Sequence, residues 1–551
     1  MSLFGDLYVG TSGLQSSQEA LNVVAHNVTN TDTTGYVRQQ VSYSTREYNT
    51  LSIDATGVSR KQTGLGVFIS EVRQVRDRFV DQSYREESGR KGFYDISYGT
   101  VEEIEAILGE LDGATFSDSM NDFWTAIEEL VKDPSSEVCQ SMLVQYAQSF
   151  SEAAQNVYSD MSNYQDKLNL KVKNGVDQIN SMAHQIYQLN NQIRSIEAGG
   201  VENANDLKDE RNLLLDQLST LGKISYNEDF FGNILVKFEG HDLILGDRVN
   251  EMAYQATEDE GFYQVYWPDS AKSFIDADGE QIYDASTAPV FDLSVEISSA
   301  IDTDIGSLKA MLLARGDHRG NYTDLKDDAS YSKIESSIMM NVMAEFDGLV
   351  HTIVTAVNGV LAGAADPASG YMCDANGNPI QLFERISSDE YQYDETTATW
   401  NAVAENAADS STWFSIKNLV VNEDLLQYPT HLGFVKPDGS TDYETAKALE
   451  SAFEAKDYIL NPKLTNQLSI REYYSNLVAQ CANSGNVYKS LKENQDLTVE
   501  SVETARQGSI GVSTDEELSN MIKFQNAYNA NSRFINVIDE CMEHIISTLG
   551  S

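Results

Sequence analysis

The chain has 551 residues and sets 38 Lys and Arg against 85 Asp and Glu, for a net charge of −47. A surface this acidic is repelled by nucleic acid and by anionic membrane, so neither is an expected partner. Four scattered cysteines (Cys139, Cys373, Cys481, Cys541) without CxxC spacing give neither a disulfide framework nor a zinc site, and the length accommodates roughly three or four domains.

The first residues, Met1-Ser2-Leu3-Phe4-Gly5-Asp6, carry no basic region and no apolar run, so no secretory signal peptide is expected there. No stretch is expected to supply the roughly 20 apolar residues that a membrane span needs. Leu7, Leu14, Leu21 and Val28 then recur every seven residues, and Leu3, Gly10, Ser17 and Val24 repeat three places after the slots of that series. This is a narrow a/d seam on a helix, partly filled with small residues. It buries too little apolar surface to hold a lone helix, so it needs a partner. Asn27 and Asn30 are turn-favouring residues at the helix end, and Thr34-Gly35 offers a positive-φ conformation before Tyr36 resumes an extended run.

From 40 to 75, Val41, Tyr43, Leu51, Ile53, Val58 and Val67-Phe68-Ile69 among Ser, Thr and Gly predict short extended segments. Gly64-Leu65-Gly66 is no phosphate loop, because the third glycine is missing and a strand follows. Residues 76–221 read as almost continuous helix. Ile104, Ile107, Leu108 and Leu111 mark one stripe; Met120, Phe123, Trp124, Ile127, Leu130 and Val131 mark the next, stopped by Asp133-Pro134. Further helices are expected from Val138 to Gly175, from Val176 to Ala198, and from Asn205 to Leu221.

Residues 222–305 switch to strand patterns, including Ile234-Leu235-Val236-Lys237-Phe238, Tyr263-Gln264-Val265-Tyr266-Trp267 and Val295-Glu296-Ile297, with turns at Gly232-Asn233, Glu239-Gly240 and Asp278-Gly279. Helix returns at 306–317 and over about Tyr331 to Leu361. Residues 362–440 read as a small β domain or loop excursion, and helices resume from Thr445 to Leu497. The segment 222–440 holds 12 basic and 37 acidic residues, so it carries −25 of the −47. A strongly solvated middle between more neutral ends fits a molecule whose ends are packed.

The closing helix mirrors the first. Met521, Tyr528, Ile535, Met542 and Leu549 repeat at seven, with Phe524, Asn531, Ile538 and Ile545 three residues after the first four, and Ser513-Thr514-Asp515-Glu516-Glu517 offers two overlapping capping boxes. The two heptad helices are expected to pair, parallel or antiparallel, and to stack with copies of themselves. The seven histidines form no HExxH or similar pair. Asp374-Ala375-Asn376-Gly377-Asn378-Pro379 places proline where a calcium loop needs glycine, and Arg385 where its bidentate acid belongs, so it reads as a turn. No catalytic, metal-binding or cofactor-binding residue is nominated, and an enzyme is not expected.

The expected fold is mainly α with inserted β domains. The N- and C-terminal helices pair as a coiled-coil-like inner domain (1–50 plus 500–551), a helical bundle forms an elongated rod (51–221 plus 441–499), and an outer β-rich region with inserted helices covers 222–440.

Asn27-Val28-Thr29-Asn30-Thr31-Asp32-Thr33-Thr34-Gly35-Tyr36 resembles the N-terminal motif of the bacterial flagellar rod, hook and hook-associated family, and Asp515-Glu516-Glu517-Leu518 with Phe524-Gln525-Asn526-Ala527-Tyr528 resembles its closing helix. The helical pair Ile179–Ile193 and Asn205–Ser219 is similar to the hook-associated branch and is not expected of hook or rod proteins; Asn212 departs from the pattern, which has an acidic residue after the arginine. The resemblance implies a structural polymer at the hook–filament junction that is extracellular and exported without a cleaved signal. The hook protein itself, or an adhesin or enzyme displayed on a flagellar-like scaffold, is the alternative. It further implies as partners the chain itself, the flagellar hook protein, hook-associated protein 3, an export chaperone at the C-terminal region and the flagellar export apparatus. The expected polymerisation residues are Leu7, Leu14, Leu21, Val24, Asn27, Val28, Asn30, Gly35 and Tyr36 at one end, and Met521, Phe524, Gln525, Tyr528, Ile535, Ile538, Met542, Ile545 and Leu549 at the other.

Overall fold

Paired helices from the two chain ends and one very long helix between them set the architecture of this protein in a computed structural model. It describes residues 3–53, 60–109, 116–200, 202–258, 260–275, 281–394 and 399–549, without the side chains of Leu3, 49–53, 60–63 and Leu549. The expected features at Leu51, Ile53, Val58, Leu111 and Asp278-Gly279 lie wholly or by their side chains outside these residues.

Helix α1 (Leu3–Thr29) leads into four strands, β1 (Gln39–Thr45), β2 (Asn49–Ile53), β3 (Arg60–Thr63) and β4 (Val67–Gln74). β1 pairs antiparallel with β4 from Gln39↔Gln74 to Thr45↔Val67, and the β2–β3 hairpin extends from their far end. Four helices follow: α2 (Arg78–Leu108), α3 (Phe116–Lys132), α4 (Glu137–Glu197) and α5 (Asn205–Leu221). Asp77 caps α2 and Ser136 caps α4, each accepting from backbone N–H groups of the first turn.

The helix end expected at Gly175 does not exist, and α4 runs unbroken for 61 residues. A Cβ on Gly175 would lie 3.1 Å from Leu308 Cδ1, so this glycine serves close packing.

Strands β5 (Ile224–Glu228), β6 (Ile234–Phe238) and β7 (His241–Ile244) form an antiparallel three-stranded sheet, and β8 (Ala253–Ala256) with β9 (Tyr263–Tyr266) and β10 (Lys272–Ile275) with β11 (Gln281–Asp284) form hairpins. Gly232 and the Glu239-Gly240 pair take positive φ at the expected turns. Val295-Glu296-Ile297 is irregular and not a strand; three residues of alternation pair with nothing here.

Helix α6 (Ser307–Arg315) follows. The helix expected from Tyr331 is split into α7 (Asp328–Ile334) and α8 (Ile338–Ala364), with Ser337 as the N-cap of the second. Residues 362–440 carry β12 (Phe383–Arg385), β13 (Tyr391–Asp394), β14 (Thr399–Ala402), β15 (Leu419–Val421) and α9 (Glu423–Gln427). Asp374 Oδ1 accepts from the Asn376 and Asn378 N–H groups, which makes the calcium-like segment an Asx turn. The expected return to helix is made by α10 (Tyr443–Glu454) and α11 (Ile470–Ile510), and α11 continues through 500 without a break before α12 (Thr514–Leu549).

Two apolar cores hang on α4. Its first half packs with α3, α8, α10, the start of α11 and the β12–β15 pair, where Phe123 stacks on Phe150 at 5.6 Å and Phe116 meets Phe346 edge-on at 4.8 Å. Its second half packs with α5, the three-stranded sheet and α6 through Val176, Ile179, Ile186, Leu215, Phe238 and Leu308. Contrary to expectation, α8 is long and apolar enough to cross a membrane by length and composition, but over half of its most apolar window is buried in the first core. It is a core helix. Alongside, α2 and α11 run antiparallel: Gly485 lies against Val101 and Glu105, Gln495 donates to the Glu87 carbonyl, and Arg506 reaches Asp81.

Candidate polymerisation interface

Helices α1 and α12 pack along one another in opposite directions. A Cβ on Gly10 would lie 2.9 Å from Ile535 Cγ1, and one on Gly13 would lie 2.7 Å from the Asn531 amide, so rising numbers on one helix meet falling numbers on the other. The small residues of the seam let the two backbones approach. On α1, Val24 is buried together with Ala20, while Leu7, Leu14, Leu21 and Val28 are half-buried. On α12, Met521, Phe524, Tyr528, Ile535 and Met542 are half-buried, and Ile538 is the one apolar side chain fully buried among the described residues. Gln525 and Ile545 are exposed, and the side chain of Leu549 is not described.

The pair leaves much apolar surface outside. Phe4 and Tyr8 on α1 and Leu518, Ile522, Phe534, Val537 and Ile546 on α12 are all exposed. On α12 they fall as two pairs, Leu518 with Ile522 and Phe534 with Val537, and Ile546 stands apart near the C-terminal end, so apolar surface is left beyond the intramolecular seam.

The far side of α1 rests on β4. Ser12 Oγ accepts from the Val67 N–H at 3.2 Å, and a Cβ on Gly66 (φ 91°) would sit 1.9 Å from that hydroxyl. Glycine is required there by both space and conformation.

The N-terminal motif closes the structure at a point its spacing does not reveal. Asn27, fully buried, treats the backbone of Gln39 as a strand would: its Nδ2 donates to the Gln39 carbonyl (2.9 Å) and its Oδ1 accepts from the Gln39 N–H (3.0 Å). The same Oδ1 accepts from the Tyr36 hydroxyl at 2.8 Å. Asn30 makes local bonds, donating to the His26 carbonyl and accepting from Thr33, and Gly35 turns the chain at φ 81° beside Leu213. Burial, followed by the charges of Asp209, Asp206 and Glu517, holds the Tyr36 proton well above its ordinary range.

Distant segments converge on that loop. The Val37 N–H donates to Asp209 Oδ2 (3.1 Å), and Gln39 Nε2 donates to Asp206 Oδ1 (3.1 Å), both carboxylates lying on α5. Burial pushes the Asp209 carboxyl up to about 7, against the opposing pull of the Val37 N–H and Arg76. The Arg38 N–H donates to the Ile510 carbonyl where α11 ends, and its guanidinium pairs with Glu517 (2.8 Å) and Glu516 (3.0 Å). Ser513 does meet the Glu516 N–H, but both glutamates turn to Arg38 instead of folding back onto the cap.

Three family descriptions match the chain: "Flagella basal body rod protein" over residues 7–36, "Flagellar hook-associated protein FlgK helical domain" over 101–370, and "Flagellar basal body rod FlgEFG protein C-terminal" over 506–548. Flagellar hook-associated protein 1 of Bacillus subtilis (strain 168) is 26% identical across 100% of this chain and 99% of its own. The chain is thus similar to flagellar hook-associated protein 1 along its whole length. The Escherichia coli (strain K12) protein of that name is 22% identical over 97% of this chain and 98% of its own. The flagellar hook junction protein FlgK from Burkholderia pseudomallei shares the fold at a TM-score of 0.54 and 13% identity, covering 78% of this chain and 100% of that one.

The two rod-type matches fall on α1 and its loop, and on α12 with the end of α11. A buried ion network joins them to the rod. Arg506 donates to Asp81 (2.8 Å) and Asp216 (2.6 Å), Arg85 donates to Asp216 (2.7 Å), and Arg76 grips Asp81. Burial opposes ionisation of Asp81, yet the bonds from Arg76 and the charges of Arg76, Arg506 and Arg85 hold its carboxyl below the usual range. The network ties α2, α5 and α11 together one turn above the place where α11 gives way to α12. Among the described residues no group of three His, Cys, Asp or Glu side chains is placed to hold a metal ion.

Proposed function

We propose that this protein is a structural subunit of the bacterial flagellum that polymerises at the hook–filament junction and lets the filament attach. The observation that carries the reading is the unfinished end pair: α1 and α12 bury one thin seam against each other and leave large apolar side chains of both helices exposed. Such a surface gains stability when further copies cover it. The residues 1–50 and 500–551 form the inner layer, 51–221 with 441–499 the rod around it, and the acidic 222–440 the outside. The subunit acts through contacts and not through chemistry. Its neighbours are the flagellar hook protein and hook-associated protein 3, and it reaches the cell exterior through the flagellar export apparatus with a chaperone on its C-terminal region.

The test is electron microscopy of cells lacking the chain, with filament protein assayed in the medium. Complete hooks without filaments, and filament protein lost to the medium, are expected. Missing hooks would place the protein earlier in assembly, and normal flagella would refute the reading.

A further inference from the structure

A cleft of about 560 Å³ lies between the end of β4, α5 and the β5–β6 sheet edge, away from the α1–α12 seam. Five cations line it, Arg73, Arg76, Arg78, Lys208 and Arg211, against three carboxylates, Glu71, Asp81 and Glu228. In a chain of net charge −47 this local excess of positive charge runs against the whole.

Lys208 pairs with Glu197 at 2.7 Å and Arg211 Nη2 lies 3.7 Å from Glu228, but the arginines are incompletely matched from within. Arg211 is 2% exposed, and while its Nη1 donates to Asn190 Oδ1 and the Gly232 carbonyl, its buried Nε has no acceptor among the described residues. Arg76 Nη1 is likewise buried without a hydrogen-bond acceptor, its nearest carboxylate oxygen being that of Asp209 at 3.8 Å. Arg73 is exposed and pairs with no described residue, and Arg78 meets Glu228 with 82% of its side chain in solvent. Burial, only partly offset by Glu228 and Glu197, pulls the Arg211 guanidinium down to about 10. A buried guanidinium donor without an acceptor is costly, and a carboxylate is the group that best completes it.

The turn beside the cleft says what kind of molecule brings that carboxylate. The β5–β6 turn, held by the bond from Arg211 to Gly232, lifts Phe230 and Phe231 out of the surface at 95% and 66% exposed, their rings 5.6 Å apart. A free ion has no use for two exposed phenylalanines, whereas arginine and aromatic side chains together are what protein interfaces are made of.

We infer that this arginine-rich cleft and the adjoining Phe230–Phe231 turn are a docking site for a carboxylate-bearing surface of a second copy of the chain. The inference rests on the polymer reading above and adds a contact outside the terminal helices. A second copy fits because each one presents an excess of carboxylates, 85 against 38 basic residues, to a cleft of opposite sign.

The test uses the full chain in flagellated cells, with Phe230 replaced by the photoreactive p-benzoylphenylalanine and, in a parallel strain, the same replacement at the exposed Ile522 of α12. Irradiation is expected to give a product of twice the 61.1 kDa chain mass from position 230. The double variant Arg73→Glu with Arg78→Glu should cut its yield about tenfold while leaving thermal unfolding unchanged, since both side chains are solvent-facing. A double-mass product from 522 but not from 230, a cross-link from 230 to other proteins alone, or a yield indifferent to the double reversal would each overturn the cleft proposal and leave the polymer reading standing. No double-mass product from either position would overturn both.

Discussion

Replacing Asn27 by leucine keeps the side-chain volume and removes every polar contact it makes. The Gln39 N–H and C=O, bound to Asn27 at 3.0 and 2.9 Å, then face an apolar side chain in a buried site. Each buried backbone group left unpaired costs about 1–3 kcal/mol, and the Tyr36 hydroxyl, half-exposed, recovers its bond from water. Less what the leucine returns by burial, the net is on the order of 3 kcal/mol. The loss is local, because β1 and the 27–39 loop open without disturbing either core. Amide exchange at Gln39 should therefore speed up about a hundredfold, tenfold for each 1.4 kcal/mol, with no change in the protection of α4. Asn30→Ala is the control: it removes bonds to neighbours three and four residues away at a solvated turn, and exchange should change less than about threefold. An Asn27→Leu chain whose Gln39 amide exchanges as slowly as before would show that the clamp does not hold the loop.

Leu21→Asp and Ile538→Asp each put a carboxylate into the thin α1–α12 seam; both chains should keep the unfolding transition of the cores and fail to incorporate into flagella, and normal filaments from either would contradict the seam. Arg506→Met strips one cation from Asp81 and Asp216, and urea unfolding should show a loss of about 3–5 kcal/mol, the range for a broken buried pair. Stability should also fall as pH rises. Burial lifts Glu345 to about 7 in the folded chain, despite bonds from Asn461 and Gln480, so its stabilising protonated form is fully present below the unfolded value of 4.5 and is lost as pH climbs through about 7. Glu345→Gln should flatten the stability profile between pH 5 and about 8, and an unchanged slope would remove this carboxyl as its source. Within α1, exchange protection should rise from Leu7 toward Val24, following burial; uniform protection along the helix would mean that the seam is stronger than its contacts.

The heptads at both ends make the terminal pairing legible in the sequence, because a seam with no second heptad helix nearby in the chain is met by a distant segment or by another copy. Its direction was not legible, since nothing in the repeat distinguishes the two orientations; the contacts of Gly10 and Gly13 do. The clamp on Gln39 was invisible for a different reason. Asn27 at a helix end reads as a turn residue, and its actual partners are main-chain atoms whose position depends on β1 pairing with β4. Asp206 and Asp209 lay in a segment already singled out, yet no pattern brings a carboxylate at 209 to an amide at 37. Gly175 and the 295–297 run show the limits of local punctuation: a glycine inside a helix served an approaching leucine, and a short alternation had no neighbouring strand to join.

Helix α4 runs for 61 residues, about 90 Å at 1.5 Å per residue, with Phe150 in one core and Ile186 in the other. Nothing along it interrupts the hydrogen-bonded ladder, so the two cores share a shaft with no joint. A torque applied to either core is delivered to the other as rotation of a rigid strut, without a hinge in which it could be lost. Under the proposed junction role, torsional stiffness is a working property, and a proline placed at the midpoint of α4 would convert a drive shaft into a universal joint.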